Sequence, residues 1–292
     1  MRRYLVFLGI AAAMLISCQR YHDYSDTDWT EKNLPEWEDL TINTVNTVST
    51  HATIISHPDN NSALSAAWRE SPNVLSLDGK WKFKYSPAPA ERPYWFFKND
   101  FDTREWDEIT VPSTWEREGY GVAYYVNAGY TFPVNPPYID HSDNPVGSYK
   151  RSFTIPSGWD GKEIFLSFDG VSSAFFVWIN GEKVGYSEDS KTTAEFNITP
   201  FLRKGKNDIA VEVYRYSDGS YLECQDFFRL SGIKRSVWLH ARPKTFIRDF
   251  FAKALLVNDY SDGLLNLSVD LESNDRRHTV IRLEASLYDG DN

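Results

Sequence analysis

The sequence predicts an all-β fold, in which a jelly-roll β-sandwich is followed by part of a second sandwich. From about Leu75 onward, apolar and polar residues alternate in short runs, which is the spacing of a strand with one buried face. Between Leu75 and Pro243 no window carries the i, i+3, i+4, i+7 stripe of an amphipathic helix. Aromatic residues, which favour strands, make up 15% of the 292 residues. Long loops with Pro and Gly, such as Tyr130–Gly147, favour the jelly-roll kind of sandwich.

The predicted strands are clearest where aromatic residues alternate with charged ones. In the segment KWKFKY, Trp81, Phe83 and Tyr85 alternate with lysines, so the three rings share one face of the strand. The dipeptide Asn180-Gly181 separates two strand patterns and predicts a tight hairpin, because both turn positions need a positive φ angle. The further strands predicted here are Tyr149–Ile155, Glu163–Phe168, Ala174–Ile179, Asp208–Tyr214 and Ser236–Ala241.

A second structural unit is predicted after Pro243. An immunoglobulin-like sandwich usually needs roughly 100 residues and seven strands to cover its inner face, and this unit holds about half of that. We therefore expect an incomplete immunoglobulin-like sandwich over residues 244–292 and a truncation at Asn292. Its predicted strands are Phe246–Leu256, Leu264–Glu272 and Thr279–Tyr288.

The N-terminus has the pattern of an export signal. Basic residues precede the apolar stretch Tyr4–Ile16, which is shorter than the ~20 residues of a membrane-spanning helix. The following Ser17-Cys18 resembles the lipobox of bacterial lipoproteins, in which the cysteine is lipidated. An ordinary secretory signal is the alternative. We expect an exported lipoprotein that is anchored through Cys18 to a membrane, in the periplasm or at the cell surface.

These patterns divide the chain into segments. A signal peptide is predicted over residues 1–17, and a polar spacer without apolar periodicity over residues 18–39. The jelly-roll domain is predicted over residues 40–243, and the incomplete second sandwich follows it.

Composition excludes several classes of function. The chain has 41 acidic and 31 basic side chains, a net charge of −10, whereas nucleic-acid binders need clustered Lys and Arg. We therefore expect no nucleic-acid partner. If Cys18 is lipidated, Cys224 has no disulfide partner, and packing must stabilise the fold. The histidines lack metal-ligand spacing, and the sequence has neither a G-x-S-x-G motif nor a phosphate-binding loop.

Two segments concentrate the residue types that bind sugars. Tyr124–Pro137 and Arg215–Arg235 are rich in Asn, Asp, Glu, Gln and aromatic residues. Pyranose rings offer an apolar face for stacking and hydroxyl groups that need paired donors and acceptors. Most aromatic side chains of a β-sandwich belong to its core, so this composition alone favours sugar binding only weakly.

A series of short motifs runs in order from about Leu40 to Val257. They are Leu77–Phe83, Val111–Trp115, Asn135–Pro137, Asn144–Tyr149, Phe168–Val171, Asn180-Gly181, Gly185–Ser187, Ser217–Asp226 and Leu230–Ile233. Together they resemble the N-terminal region of glycoside hydrolase family 2. The segment Ser217–Asp226 is more similar to the large microbial β-galactosidases than to the β-glucuronidases or β-mannosidases.

The resemblance implies a galactose-binding-like jelly roll, an immunoglobulin-like domain and then a catalytic TIM barrel. It implies that Asn127 contacts a β-galactoside substrate, and that Asp226 contacts the sugar and helps to hold a sodium ion. A carboxylate suits both roles, because it accepts from hydroxyl groups and offers a hard oxygen to a hard cation. The family further implies magnesium in the barrel and homo-oligomers of the full-length parent. Cys224 departs from the family, which more often has an acid there.

The polar residues of these segments also have structural interpretations. Asp218 precedes Gly219 and is more typical of a turn than of a metal ligand. Glu223 is either a buried hydrogen-bond acceptor or a residue near the site. Without the resemblance, Asn127 would be interpreted as the cap of a turn.

The sequence lacks the catalytic residues of the family. Retaining glycosidases need two carboxylates about 5 Å apart, which the family places on its barrel. The chain has no βα repeat and no Asn-Glu dipeptide, the local signature of the family's acid/base residue. We therefore predict no catalytic residue and an inactive chain. Three interpretations remain: the sugar-binding N-terminal portion of an exported β-galactosidase, a self-standing lectin-like surface lipoprotein, or a complementing subunit or relic.

Overall fold

The computed structural model describes residues 34–64, 68–275 and 280–288. The predicted signal peptide, Cys18 and most of the predicted spacer lie outside the described residues. Within the described part of the chain, no helix combines the length and apolar character needed to cross a membrane.

Short strands dominate the described chain, and helices are limited to single turns. The α-helical turns are α1 (Asn60–Leu64) and α2 (Ser220–Glu223), and the 3-10 turns are Glu36–Glu38, Trp68–Glu70, Pro89–Glu91, His141–Asp143, Ser157–Trp159 and Thr199–Phe201. The strands are β1 (Thr44–Val45), β2 (Val74–Ser76), β3 (Gly79–Ser86), β4 (Asp107–Val111), β5 (Tyr124–Val126), β6 (Val146–Thr154), β7 (Glu163–Phe168), β8 (Val171–Ser172), β9 (Ala174–Ile179), β10 (Glu182–Glu188), β11 (Ala194–Asn197), β12 (Lys206–Tyr214), β13 (Phe227–Arg229), β14 (Gly232–Ile233), β15 (Val237–Arg242), β16 (Thr245–Val257) and β17 (Asp262–Ser273).

Two antiparallel sheets form the body of the molecule. One has seven strands in the order β1-β10-β9-β12-β6-β3-β4, and the other has four in the order β11-β7-β15-β2. Two-stranded ribbons, β5–β13 and β8–β14, connect loops at the margin of these sheets. The all-β fold class is confirmed.

The core lies between the two sheets and is built from the alternation seen in the sequence. The inner face of β7 contributes Ile164, Leu166 and Phe168, which share one buried cluster with Val177 of β9 and Val211 of β12. Burying each such side chain contributes about 1.5–3 kcal/mol relative to leaving it exposed. Trp81 and Phe83 of β3 are also fully buried, as their spacing predicts.

The predicted hairpin is confirmed at Asn180-Gly181. Both residues have positive φ angles, 54° and 88°, between β9 and β10. This pair of angles is that of a type I′ turn, whose twist matches the twist of the flanking strands. Asn180 also fixes its surroundings, because its Nδ2 donates to the carbonyl oxygen of Phe201 at 2.8 Å and to Oδ1 of Asn207 at 2.8 Å.

The chain after Pro243 forms one long hairpin, β16–β17. The first two strands predicted there are confirmed. The third, predicted over Thr279–Tyr288, is wrong for the described residues 280–288, which form no strand. Apolar alternation alone does not make a strand, because a strand also needs a partner for its backbone groups. Side chains on the hairpin such as Phe251 and Leu256 are about two-thirds exposed, at 66% and 65%.

The last residues of the predicted spacer belong to the packed fold. Glu36–Glu38 forms a 3-10 turn in which Trp37 is fully buried. Oε1 of Glu38 accepts from the backbone N–H of Ile139 at 2.7 Å, and the carbonyl oxygen of Trp37 accepts from the N–H of Asp218 at 2.9 Å. The sequence did not reveal that Glu36–Glu38 packs against the fold, because acidic residues flank the single buried tryptophan.

A buried carboxylate organises the outer face of the four-stranded sheet. Glu195 lies with its oxygens 2.8 Å from Nε2 of His240, 3.1 Å from Nε2 of His51 and 3.4 Å from Nη2 of Arg242, and Ser167 Oγ donates to it at 3.2 Å. Burial by itself would raise the pKa of Glu195, but the hydrogen bonds with His240 and His51 hold that pKa well below its usual range. The carboxylate therefore stays charged in the folded protein.

We predict that Glu195→Gln lowers the free energy of unfolding by about 3–5 kcal/mol at neutral pH, because Arg242 and the two imidazoles lose a buried partner. Urea unfolding measures the change. The matched control is Glu108→Gln, which breaks an exposed 3.4 Å pair with Lys82 and should cost less than about 1 kcal/mol.

The effect of Glu195→Gln should also depend on pH. The folded pKa of Glu195 is depressed, so its contribution is complete above the unfolded value near 4.5 and is lost as the pH falls toward the folded pKa. The difference in unfolding free energy between wild type and variant should therefore shrink below about pH 4.5. A constant difference from pH 7 to pH 3 would contradict a role for the charge.

Candidate functional site

The ribbon β5–β13 brings the two predicted sugar-contacting residues together. Its antiparallel register pairs Val126 with Phe227, so Asn127 and Asp226 follow as the next positions at the same end of the ribbon. Both residues are exposed. Since they are separated by almost a hundred positions in the chain, this ribbon is what makes them neighbours.

Asp226 is held by one hydrogen bond and keeps free acceptor capacity. The hydroxyl of Tyr125 donates to its Oδ1 at 2.6 Å, which raises the pKa of Tyr125 above its ordinary value. Within the described residues, Oδ2 has no hydrogen bond. The ring of Tyr125 packs edge-on against Phe228 at 5.3 Å, and both rings are more than half exposed, at 59% and 56%. The ribbon thus presents a carboxylate oxygen beside two accessible aromatic rings.

The buried side chain of Arg229 connects the two strands of the ribbon. Its Nη1 donates to the carbonyl oxygens of Gln225 and Phe227, the latter at 3.0 Å, and its Nη2 lies 3.4 Å from those of Val126 and Gly129. Only 7% of this residue is exposed. A planar guanidinium can bind several carbonyls at once, so one side chain fixes the backbone on both sides of Asn127 and Asp226.

An aromatic cluster anchors the neighbouring loop. The hydroxyl of Tyr130 donates to the carbonyl oxygen of Tyr221 at 3.0 Å, and the hydroxyl of Tyr221 donates to the carbonyl oxygen of Tyr138 at 2.7 Å. Phe132 packs against Tyr216 at 4.6 Å and against Tyr221 at 5.2 Å. Several of the aromatic residues that suggested stacking on a sugar therefore pack on one another and hold the site's loops.

A buried ion pair supports the start of β5. Nη1 of Arg215 lies 3.7 Å from Oε1 of Glu116, and both side chains are almost fully buried. Burial raises the pKa of Glu116, although the backbone N–H of Ser231 donates to its Oε2 at 3.0 Å. Nη2 of Arg215 donates to the carbonyl oxygen of Val122 at 2.9 Å, which ties the chain before β5 to the sandwich.

A small cationic cavity adjoins β13 but is too small for a sugar. It measures about 50 Å³, and Arg215, Arg229, Lys234 and Cys224 are among its lining residues. A water molecule needs a share of roughly 30 Å³, so the cavity suits solvent. Burial lowers the pKa of Lys234 to about 8. The exposed ribbon, not this cavity, is therefore the candidate sugar site.

The structure decides between the interpretations of Glu223 and Asp218. Both oxygens of Glu223 accept from Ser190, one from its backbone N–H and one from its hydroxyl, each at 2.6 Å, so Glu223 is a structural acceptor. Asp218 is 5% exposed and begins a turn, since the N–H of Tyr221 donates to its carbonyl oxygen at 3.1 Å. Burial raises the pKa of Asp218 and of the neighbouring Glu188.

The described residues test the predicted sodium site only in part. Asp226 offers one hard oxygen of the type that sodium accepts. Among the described residues, no group of three or more His, Cys, Asp or Glu side chains is placed to hold a metal ion. Moreover, the nearby carbonyls of Gln225 and Phe227 already accept from Arg229. The sodium site at Asp226 therefore stays a prediction.

With this geometry in view, comparison with known proteins identifies the domain. Residues 74–243, more than half of the chain, match the family model described as the sugar binding domain of glycosyl hydrolases family 2. The chain belongs to glycosyl hydrolase family 2. This agrees with the motifs between Leu77 and Ile233, and it makes the body of the described structure the N-terminal sugar-binding domain of a glycoside hydrolase.

Several curated relatives of this family 2 chain are β-galactosidases. One from Priestia megaterium is 43% identical over 261 residues, which are 87% of this chain and 25% of the relative. One from Halalkalibacterium halodurans is 39% identical over 268 residues, 90% of this chain and 26% of the relative. The chain thus spans about a quarter of the length of the curated relatives it matches.

Solved structures share the same fold. A calcium-binding mutant of Bacteroides uniformis β-glucuronidase 2 superimposes with a TM-score of 0.55 at 26% identity, over 69% of this chain and 22% of that one. A β-glucuronidase from an uncultured Clostridium species gives a TM-score of 0.52 at 20% identity, over 76% of this chain and 36% of that one, a likeness of fold alone.

Sequence reasoning missed the residues that position the site. Arg229 and the pair Arg215–Glu116 do not stand out in the sequence, where arginine and glutamate are ordinary surface residues. The available signal was their location, because both arginines lie in the polar segment that follows β12. Only the structure shows that they are buried and bind backbone carbonyls.

We predict that Arg229→Lys loosens the β5–β13 ribbon, because an ammonium group cannot reproduce the planar set of bonds to the carbonyls on both strands. Hydrogen exchange at the amides of residues 124–126 and 227–229 should become faster, and the free energy of unfolding should fall by about 1–3 kcal/mol. Arg235→Lys is the control, since Arg235 is exposed and binds other carbonyls. Unchanged ribbon exchange in Arg229→Lys would refute the positioning role.

Proposed function

We propose that this chain is the N-terminal sugar-binding portion of a β-galactosidase that hydrolyses terminal, non-reducing β-D-galactosides, with Asn127 and Asp226 contacting the sugar. The observation that carries the proposal is the register of β5 and β13, which presents both residues at one exposed ribbon end. The curated relatives support the choice of galactoside, since those from Priestia and Halalkalibacterium are both β-galactosidases.

The proposed contacts follow from the chemistry of the two side chains. The free Oδ2 of Asp226 would accept from a sugar hydroxyl, and the amide of Asn127 can both donate and accept. A hydrogen bond from Tyr125 fixes the orientation of the carboxylate before the sugar arrives. This preorganisation lowers the entropy lost when the sugar binds.

The chemistry of hydrolysis would come from outside the described domain. Retaining hydrolysis needs an acid/base carboxylate and a nucleophilic carboxylate about 5 Å apart. We propose that these belong to a barrel that follows in the full-length protein, so the chain alone does not turn the sugar over and its ribbon site is completed by the barrel. A sodium ion would share Asp226 with ligands from that barrel, and magnesium would be bound within the barrel.

We also propose that the protein is exported and anchored at a membrane through a lipid on Cys18. The support is the sequence pattern alone: basic residues, the apolar stretch Tyr4–Ile16 and the Ser17-Cys18 pair. An anchored enzyme would act on galactosides outside the cytoplasm. Full-length molecules could then associate as homo-oligomers on the same surface.

We predict that Asp226→Asn in the full-length polypeptide lowers kcat/KM for a chromogenic β-galactoside by about tenfold or more, because a charged acceptor facing the sugar is lost. Its thermal unfolding should change little, since Asp226 is exposed. Asp107→Asn is the matched control, because Asp107 is also exposed and accepts from a tyrosine hydroxyl, that of Tyr120 at 2.7 Å.

Three outcomes of this assay are informative. Loss of turnover in Asp226→Asn but not in Asp107→Asn supports the proposal. Equal loss of turnover and of stability in Asp226→Asn would make Asp226 a structural residue. Turnover by the 292-residue chain alone would contradict the proposed division of labour between this domain and a barrel.

We predict that Cys18→Ala moves the protein from the membrane fraction to the soluble exported fraction, because the acyl chains supply the membrane affinity. Cell fractionation with metabolic labelling by a fatty acid measures both effects. Cys224→Ala is the control and should remain labelled. Continued acylation of Cys18→Ala would refute the lipidation site.

A further inference from the structure

A second cleft lies on the outer face of the four-stranded sheet, away from the β5–β13 ribbon. It encloses about 610 Å³ between this sheet and the segment Val48–Ile54. That volume falls within the roughly 300–1,000 Å³ of typical ligand sites, unlike the small cavity beside β13. The cleft shares no residue with the ribbon that carries Asn127 and Asp226.

One end of the cleft is aromatic. The rings of Trp68 and Trp238 meet edge-to-face at 5.0 Å. Trp68 is half-buried, whereas Trp238 is buried in β15 and supports it. The guanidinium of Arg69 lies over the Trp68 ring, with its Cζ 4.8 Å from the ring centroid, so a pyranose would stack on the part of the ring that Arg69 leaves accessible.

A carboxylate with an available oxygen lies next to this platform. Nε1 of Trp238 donates to Oδ1 of Asp169 at 2.9 Å. Within the described part of the chain, Oδ2 of Asp169 accepts no hydrogen bond. Burial raises the pKa of Asp169, yet its position beside the guanidinium groups of Arg69 and Arg235 favours the charged form. The cleft therefore combines a stacking surface with a fixed acceptor for a hydroxyl group.

The rim adds donors and hydroxyl groups. Thr192 and Thr193 are exposed at the cleft, and so is Arg235. Nη1 of Arg235 donates to the carbonyl oxygen of Lys191 at 3.1 Å, which fixes the guanidinium at the rim. The buried Arg242 also lines the cleft, and its guanidinium lies over the rings of Phe165 and Phe246, with Cζ 4.7 Å and 5.2 Å from their centroids.

The charges of the cleft balance, which decides the class of ligand. Arg242 is paired with Glu195 at 3.4 Å, and Arg235 stands near Asp169. An anionic ligand would therefore gain little net attraction and would be repelled by Asp169. A neutral molecule with many hydroxyl groups suits a site with mixed donors and acceptors and an aromatic platform.

We propose that this cleft is a second carbohydrate site, which binds a short neutral oligosaccharide through stacking on Trp68 and hydrogen bonds to Asp169. It would hold part of a glycan away from the site of cleavage. The proposal does not depend on the roles of Asn127 and Asp226, because the two sites share no residue.

The test is isothermal titration of the 292-residue chain with β-1,4-galactotriose up to about 10 mM, a range that detects millimolar binding. The variants are Trp68→Ala and Asp169→Asn. Asparagine keeps an oxygen for Trp238, so Asp169→Asn preserves the fold while removing the charge. Asp107→Asn lies outside both the cleft and the ribbon and is the control, whereas Asp226→Asn reports binding at the ribbon. Thermal unfolding checks each variant.

We expect wild type and Asp107→Asn to bind the trisaccharide equally, and Asp169→Asn and Trp68→Ala to bind about tenfold more weakly or not at all. Trigalacturonate, an acidic trisaccharide with α-1,4 linkages, should bind more weakly than galactotriose. The proposal is overturned if wild type does not bind, if Asp169→Asn and Trp68→Ala both bind like wild type, or if binding is lost only in Asp226→Asn. Preference for trigalacturonate would also overturn it. A loss of β-galactosidase turnover in Asp226→Asn is measured separately and tests only the ribbon.

Discussion

The packing of two β-sheets around a shared apolar core determines where every loop of this domain emerges. Leu166 and Phe168 of one sheet and Val177 and Val211 of the other lie in one buried cluster. Because strand side chains alternate between faces, burying these residues also fixes which side chains point outward. Glu195 and His240 follow from that alternation, since they occupy the opposite face of strands β11 and β15, which carry core residues. The two candidate sugar sites are thus placed by the core.

Buried arginine side chains fix the loops to the sandwich through hydrogen bonds. Arg229 binds carbonyl oxygens on both sides of the β5–β13 ribbon, and Arg215 links β12 to the chain before β5. The carbonyl groups of loops lack the hydrogen bonds between strands that a sheet provides. Buried side-chain donors must therefore bond to them instead. The result is an exposed carboxylate, Asp226, on a ribbon held from within. Such rigidity suits a sugar site, because each hydroxyl group needs a partner at a fixed distance.

The two sites differ in how they are built. The ribbon presents Asn127 and Asp226 on an open surface, which suits a site that another domain completes. The cleft at Trp68 and Asp169 is enclosed by residues of this domain alone. Under the two proposals made above, this domain would hold a glycan by one surface and present its end at another. The buried charges around Glu195 stiffen the four-stranded sheet beneath the cleft. The cleft and this charge cluster therefore both depend on the stability of the sandwich.

The sequence by itself determined the strands and the hairpin. Alternation at Trp81 and Phe83 and the Asn180-Gly181 turn are local signals, since each depends on residues within a few positions. The family motifs likewise pointed to Asn127 and Asp226. The tertiary structure alone decided what surrounds them, such as the ribbon bonds of Arg229.

The contacts that only the tertiary structure reveals span long distances in the chain. Arg229 bonds to residues about a hundred positions away, and Glu195 bonds to His51 across 144 positions. No local pattern marks such pairs, because a buried charge and an exposed one have the same residue identity. The strand predicted over Thr279–Tyr288 failed for a related reason. Alternation of apolar residues predicts which face of a strand is buried. Whether a partner strand is present to bond its backbone groups is decided only in the folded chain.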